Sequence, residues 1–245
     1  MFGVSGMCSE PDQADYVAML ERVVAEARAA EARSRRFLAD AAHQLRTPVA
    51  GIQMCAENLL LGGDQAEQDL LLGNLLRETT RVSRLVTSLL QIADQDEGET
   101  LDRSPCDFVS VCKNEVDRAW SVAPHLDFRL RVEGVSTIPP NLDANKVREI
   151  LANILDNAKR HALQRVEVLV READNWLEMV ISDDGGGVPA GMEETIFDRF
   201  FSIGETGGSG LGLAIAQQLA RAHGGNLSYG SSGFVLSLPT GRDER

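Results

Sequence analysis

His43 is the side chain best placed to act as a nucleophile. It sits in the run Phe37-Leu38-Ala39-Asp40-Ala41-Ala42-His43-Gln44-Leu45-Arg46-Thr47-Pro48. With Leu38 and Leu45 at heptad position a and Ala41 at d, His43 falls at f. That is about 200° around the helix from Leu45. An imidazole facing outward is solvated and open to a reaction partner, and its neutral form is a nucleophile. Arg46 and Thr47, at i+3 and i+4, share its face, and Asp40 at i−3 is within reach. A surface histidine on a coiled coil has the same phase, so the chemistry must be judged against the rest of the chain.

Three further clusters suit a phosphate-bearing ligand. Asn153 and Asn157, at i and i+4, put two amides on one helix face, and an amide oxygen is a hard ligand suited to Mg²⁺ on phosphates. Arg160 and His161 continue that face and offer donors to phosphate. Polar residues on a solvent face give the same pattern. Asp183-Asp184-Gly185-Gly186-Gly187 follows an apolar strand. Its glycines allow a flat ligand close to the backbone, and one aspartate can accept from an exocyclic amine. A tight turn reads the same way. The loose match Gly185, Gly187, Ala190 to a dinucleotide fingerprint is discounted, because Pro189 intervenes and no helix opens there. Finally, Gly207-Gly208-Ser209-Gly210-Leu211-Gly212-Leu213 opens a helix and offers backbone N–H groups to phosphate. Without Gly-Lys-Ser/Thr it is no Walker loop.

The elements that would carry these residues follow from periodicity. Spacings of three and four run from about Asp15 to Leu61, interrupted at Glu31 and Ser34, and again from about Gln65 to Asp94. Gly62-Gly63-Asp64 separates them, which predicts a helical hairpin. Pro48 is expected to kink the first helix. One hairpin leaves an apolar seam bare, so a homodimer forming a four-helix bundle is expected. The acidic segment 95–106 reads as a linker. Beyond it, helices near Phe108–Val122, Ala144–Ala162 and Leu211–His223 alternate with strands at Leu126–Val132, Arg165–Val170, Trp176–Ser182 and Gly233–Leu238. Ala173-Asp174-Asn175 is a hairpin turn. This is an α+β layer domain. The expected divisions are 1–36 as an input segment, 37–97 as the hairpin, 98–106 as linker and 107–241 as the second domain.

Composition bounds the alternatives. The 245 residues carry a net charge of −13. That disfavours nucleic acid and anionic membranes, so an anionic ligand must be held by local donors or a divalent metal. Cys8, Cys55, Cys106 and Cys112 form no C-x-x-C and suit a reducing, cytoplasmic setting. No stretch reaches ~18 apolar residues, and MFGVSGMCSE lacks the order of a signal peptide.

Taken in order, the motifs resemble the transmitter region of bacterial sensor histidine kinases over about residues 15–241. His43 to Pro48 looks like the H box, Asn153 to Ala158 the N box, Asp183-x-Gly185-x-Gly187 the first glycine box, Ile196 to Phe200 the F box, and Gly208-x-Gly210-Leu211-Gly212-Leu213 the second glycine box. The resemblance implies a dimerisation and histidine-phosphotransfer bundle, then an α/β-sandwich ATP-binding domain of the type shared with gyrases and certain chaperones. It implies autophosphorylation of His43 from Mg-ATP and transfer to an aspartate of a response regulator. Asn157 would hold Mg²⁺, Asp183 would bond the adenine amine, and Glu193 to Ser209 would form a lid.

Two positions depart from the family. Gln44 stands where most members have Glu or Asp directly after the histidine. An amide is no base, but its oxygen can accept the imidazole N–H and fix the tautomer. Ser202 stands where a basic residue is common, which leaves Arg199 and Arg160 as the expected phosphate contacts. A stand-alone ATPase of this fold would carry Glu where Asn153 stands. A dimeric adaptor with a relic site, and a net phosphatase using Gln44 and Thr47, are the other readings.

Overall fold

The computed structural model describes residues 13–96, 101–202 and 209–241. Helix α1 spans Gln13–Leu61 and α2 spans Gln65–Asp96. The periodicity holds for both, and α1 runs through Pro48 without ending. Gly62, at φ +82°, makes the turn. Asp64 then starts α2, its Oδ1 accepting from the Glu67 N–H at 2.9 Å. The α1 seam is open in a single chain, with Val17, Leu20, Val24 and Leu38 47–63% exposed. Among the described side chains of α2, Leu85 is buried, while Val82 and Leu89 are half-buried and Val86 is exposed. Leu85 joins the core of the second domain, and Phe37, Leu45 and Leu89 pack against the same cluster.

The second domain is a five-stranded sheet under three helices. Strands β2 (Asp127–Glu133), β4 (Arg165–Ala173), β5 (Trp176–Asp183), β6 (Asn226–Gly230) and β7 (Gly233–Pro239) lie in the order β2-β4-β5-β7-β6. Only the β2–β4 pair is parallel. Alternate residues turn inward: Val166, Val168 and Val170, then Leu177, Met179 and Ile181, then Phe234, Leu236 and Leu238 are all buried. Helices α3 (Phe108–Val122), α4 (Ala144–His161) and α5 (Gly212–Ala222) bury their apolar stripes against that face. Asp174 and Asn175, at φ 49° and 63°, form the two-residue turn that closes Ala173 onto Trp176.

Two short strands, β1 (Ser104–Pro105) and β3 (Asn141–Leu142), pair with each other. Cys106 beside them is buried. The segment expected to be linker therefore joins the second domain by Ser104. The anchor is Asp143, the N-cap of α4. Its Oδ1 accepts from the N–H groups of Asn145 and Lys146, and its Oδ2 from that of Asp102 at 3.0 Å. Three donors satisfy a carboxylate that folding removes from water.

His223 closes the same corner from the end of α5. It is buried; its Nδ1–H donates to Leu219 O at 2.8 Å, and its Nε2 accepts from the Asp143 N–H at 3.3 Å. One neutral tautomer satisfies both contacts. Burial first of all holds its pKa below the ordinary value, with Arg103 pushing the same way and Asp143 and the Leu219 bond opposing. The unfolded chain thus binds the proton more readily, so stability falls as pH drops below about 6.5. In a His223→Gln variant, the slope of unfolding free energy against pH between about 5.5 and 6.5 is expected to flatten. Urea titrations at three pH values measure it.

Candidate functional site

His43 is exposed on α1, as its phase predicts. It opens into a cavity of about 350 Å³ shared with Asp40 and Gln44 of α1 and with Asp198, Arg199, Phe200 and Phe201 of the second domain. Aromatic contact holds the two sides together. The rings of Phe37 and Phe200 lie 5.9 Å apart, and the Arg199 guanidinium sits 5.5 Å above the Phe37 ring. Phe200 is held at φ +66°, unusual for a bulky residue. Its N–H donates to Gly210 O at 2.8 Å. Gly210 is itself at φ +68°, and a Cβ there would stand 2.5 Å from the Phe200 carbonyl carbon. The F-box backbone and the second glycine loop are thus locked together, and the lock presses Phe200 onto the histidine helix. Arg46 and Thr47 are exposed on α1 outside this cavity's lining.

A second, larger cavity of about 1120 Å³ lies on the other side of Phe201, which lines both. Asn153, Asn157, Arg160 and His161 of α4, Asp183, Gly187, Gly210, Gly212 and Leu213 all border it. Asn153 is steered by its Nδ2 donating to Glu149 O at 3.0 Å. Gly212 leaves room for it, because a Cβ there would lie 2.9 Å from Asn153 Oδ1. The two adjacent aspartates divide their tasks. Asp184 accepts from the N–H groups of Leu163, Gln164 and Arg165, and these bonds, that of Gln164 foremost, hold its carboxyl below the usual range. Asp183 accepts at 3.0 Å from Gly185 N–H and faces the cleft. The half-buried Asn157 amide offers one hard oxygen. Among the described residues no three His, Cys, Asp or Glu side chains gather to hold a metal. That donor set fits Mg²⁺ arriving with phosphates and keeping its own waters.

Four expectations need correcting or placing. Leu211, expected to touch the ligand, is fully buried at the start of α5 and packs in the core. Arg199, expected at the phosphates, lies over Phe37 in the histidine cavity instead. Gly185 serves packing rather than lining: a Cβ there would stand 2.2 Å from His161 O. Gly208, together with the rest of 203–208 within the lid expected from Glu193 to Ser209, lies outside the described residues.

Two cleft features escaped the sequence reading. Tyr229 on β6 accepts from Val188 N–H at 3.2 Å and lines the cleft. The other is the opposite wall, supplied by α2. A Tyr229→Phe variant leaves the Val188 N–H without its acceptor, a loss of about 1 kcal/mol. The variant is expected to melt about 2–4 °C lower, measured by scanning calorimetry.

The sequence and the fold have relatives. Residues 33–98 match the family model of the His Kinase A (phospho-acceptor) domain. Residues 142–242 match that of the histidine kinase-, DNA gyrase B-, and HSP90-like ATPase. The probable sensor histidine kinase TcrY of Mycobacterium tuberculosis is 32% identical over 237 residues, covering 90% of this chain and 50% of that protein. Signal transduction histidine-protein kinase AfsQ2 of Streptomyces coelicolor is also 32% identical, covering 90% of this chain and 44% of that one. The chain spans about half the length of these curated relatives or less. Among solved structures, histidine kinase ThkA in complex with response regulator protein TrrA shares the fold, at TM-score 0.70 and 17% identity over 95% of this chain and 68% of that one.

Proposed function

The chain belongs to the two-component sensor histidine kinases through its transmitter region, and from that premise we propose that it moves the γ-phosphoryl group of ATP to His43 and then to an aspartate of a response regulator. The observation that carries this is the pairing of an exposed histidine with an F-box contact and a glycine-bordered cleft on one chain. Asp183 receives the adenine amine. Arg160, His161 and the backbone around Gly210 and Gly212 take the phosphate oxygens. Asn157 would hold Mg²⁺, which when bound would neutralise charge on the phosphates.

In the transfer, one ring nitrogen of His43 forms the N–P bond as the bond from γ-phosphorus to the ADP oxygen breaks. The proton of the other nitrogen is held by a hydrogen bond until it is lost to water. Gln44 is the holder: half-buried beside His43, it fixes the tautomer without taking the proton. Positioning therefore supplies most of the rate. Asn153 in place of a glutamate leaves no carboxylate to activate water at that position. Among the described residues no helix is long and apolar enough to cross a membrane. The thiols of Cys55, Cys106 and Cys112 are free, and with ATP as donor a cytoplasmic setting follows. The open α1 seam is where a second copy would complete a four-helix bundle. Thr47, one turn from His43, would orient water when the regulator's phosphoaspartate is hydrolysed.

Incubation with γ-labelled ATP and Mg²⁺ tests the reading. Acid-labile, base-stable label that passes to a receiver domain supports it. Bound nucleotide without such label overturns it in favour of a phosphatase or an adaptor. Gln44→Glu is expected to raise the labelling rate severalfold, because a carboxylate adds general-base help. Asp40→Asn is expected to leave it within twofold, since Gln44 is already the partner.

A further inference from the structure

The cleft wall opposite the N box belongs to the hairpin. Arg77, Arg81 and Arg84 of α2 border the same cavity as Asn157 and Arg160. Three guanidiniums on one face of a helix, in a chain of net charge −13, are an unusual concentration of positive charge. Arg77 is engaged by Asn74. Among the described residues no carboxylate pairs with Arg81 or Arg84. Loss of water first of all weakens Arg160's hold on its proton; Asp156 opposes this, and Arg84 lies near enough to repel Arg160 and add to it. Asp156, on Arg160's own helix and bordering the same cavity, answers part of this, and an anion lying between Arg160 and Arg84 would recover the repulsion that remains.

The anion has a place to sit. Arg160 is on the face that also presents Asn157, and the N-terminus of α5 borders the same space. Asp183, the base-binding group, borders the same cleft, and Arg84 approaches it at Arg160, on the phosphate side. The phosphate end of a nucleotide lying along this cleft thus points toward α2. We propose that Arg84, assisted by Arg81, binds the phosphate oxygens of the nucleotide, so that the hairpin completes the nucleotide site of its own catalytic domain. The inference rests on the cleft being an ATP site, and it adds a ligand-binding wall outside the domain that carries the glycine boxes. Nucleotide and hairpin then hold each other: binding ATP or ADP fastens the catalytic domain to α2, on the side of Phe201 away from His43. By linkage, whatever pulls α2 from the cleft loosens the nucleotide by the same factor.

Titration of the full chain with ATP, ADP and adenosine, each by calorimetry, tests this. Arg84 is exposed, so its replacement leaves the fold standing. For Arg84→Ala, the expected result is about a tenfold weaker Kd for ATP and ADP, the effect of one charge-assisted bond to phosphate, with adenosine binding unchanged. Arg84→Lys should recover most of the loss, and Arg81→Ala/Arg84→Ala should exceed the single change. An ATP Kd within twofold of the parent in the double variant overturns the proposal, as does equal weakening of adenosine. The titration requires no turnover. A chain that binds ATP through Arg84 but forms no phosphohistidine refutes the kinase reading and leaves this one standing. A labelled chain indifferent to Arg84 does the reverse.

Discussion

A His43→Ala chain is expected to bind ATP as tightly as its parent and to take up no acid-labile label, a loss of more than a thousandfold in autophosphorylation. The imidazole is exposed and opens into the smaller cavity, so truncating it costs little stability and leaves the cleft untouched. Nothing else can replace it at that site. Of the four histidines, His223 is buried with both ring nitrogens engaged, His161 borders the nucleotide cleft, and His125 precedes β2. Gel autoradiography after acid and base washes reads the outcome. Label that survives in His43→Ala and vanishes in His161→Ala would move the acceptor into the cleft itself.

The second large effect is expected from one added methyl group. Gly185→Ala puts a carbon 2.2 Å from the carbonyl oxygen of His161, against backbone at the end of α4 rather than a yielding side chain. Either the loop after β5 or the end of α4 must shift. The loop supplies the Gly185 N–H that sets Oδ1 of Asp183, the last residue of β5, and α4 carries Asn157 and Arg160. Misplacing one charge-assisted contact costs about 1.5–3 kcal/mol, so ATP affinity should fall roughly ten- to a hundredfold. Circular dichroism that stays unchanged while calorimetry registers this loss would confine the damage to the site. Gly186→Ala is the control: nothing lies within 4 Å of its added carbon.

Periodicity and turn chemistry made most of the fold legible. The helix Phe108–Val122 is found at its expected ends because Asp107 caps it through Ser110. The β4–β5 turn is marked by Asp174-Asn175, residues that accept positive φ. Strand β6 gave no such signal: of Asn226 to Gly230 only Leu227 is buried, and its pairing with β7 is tertiary. Strands β1 and β3, two residues each, are shorter than any period. The site divided the same way. The outward face of His43 and the shared cleft-side face of Asn153 and Asn157 were readable from phase and spacing, whereas which of Asp183 and Asp184 turns to the cleft was set by the backbone donors that claim Asp184. Arg199 and Leu211 were misplaced because a motif names a neighbourhood and not a direction; burial turned Leu211 inward, and Phe37 drew Arg199 away. Tyr229 and the α2 arginines come to the cleft from distant segments, and no local pattern marks them.

The anchoring of Asp102 on Asp143 and of Ser104-Pro105 on β3 limits how far the catalytic domain can travel. Five Cα-to-Cα steps join Asp96, the end of α2, to Leu101, so their separation is at most about 17 Å. Along the hairpin axis His43 lies roughly 27 Å from the turn and Asp96 roughly 47 Å, at 1.5 Å per residue. The covalent slack is thus shorter than the drop of roughly 20 Å to the histidine. Sliding on a loose leash cannot bring the cleft to His43, so the domain must pivot about its tether and spend its own breadth to get there. A leash that short also keeps the donor at millimolar effective concentration, or excludes it altogether, according to the direction of the pivot. Chain length between Asp96 and Leu101 is thereby a determinant of phosphorylation rate.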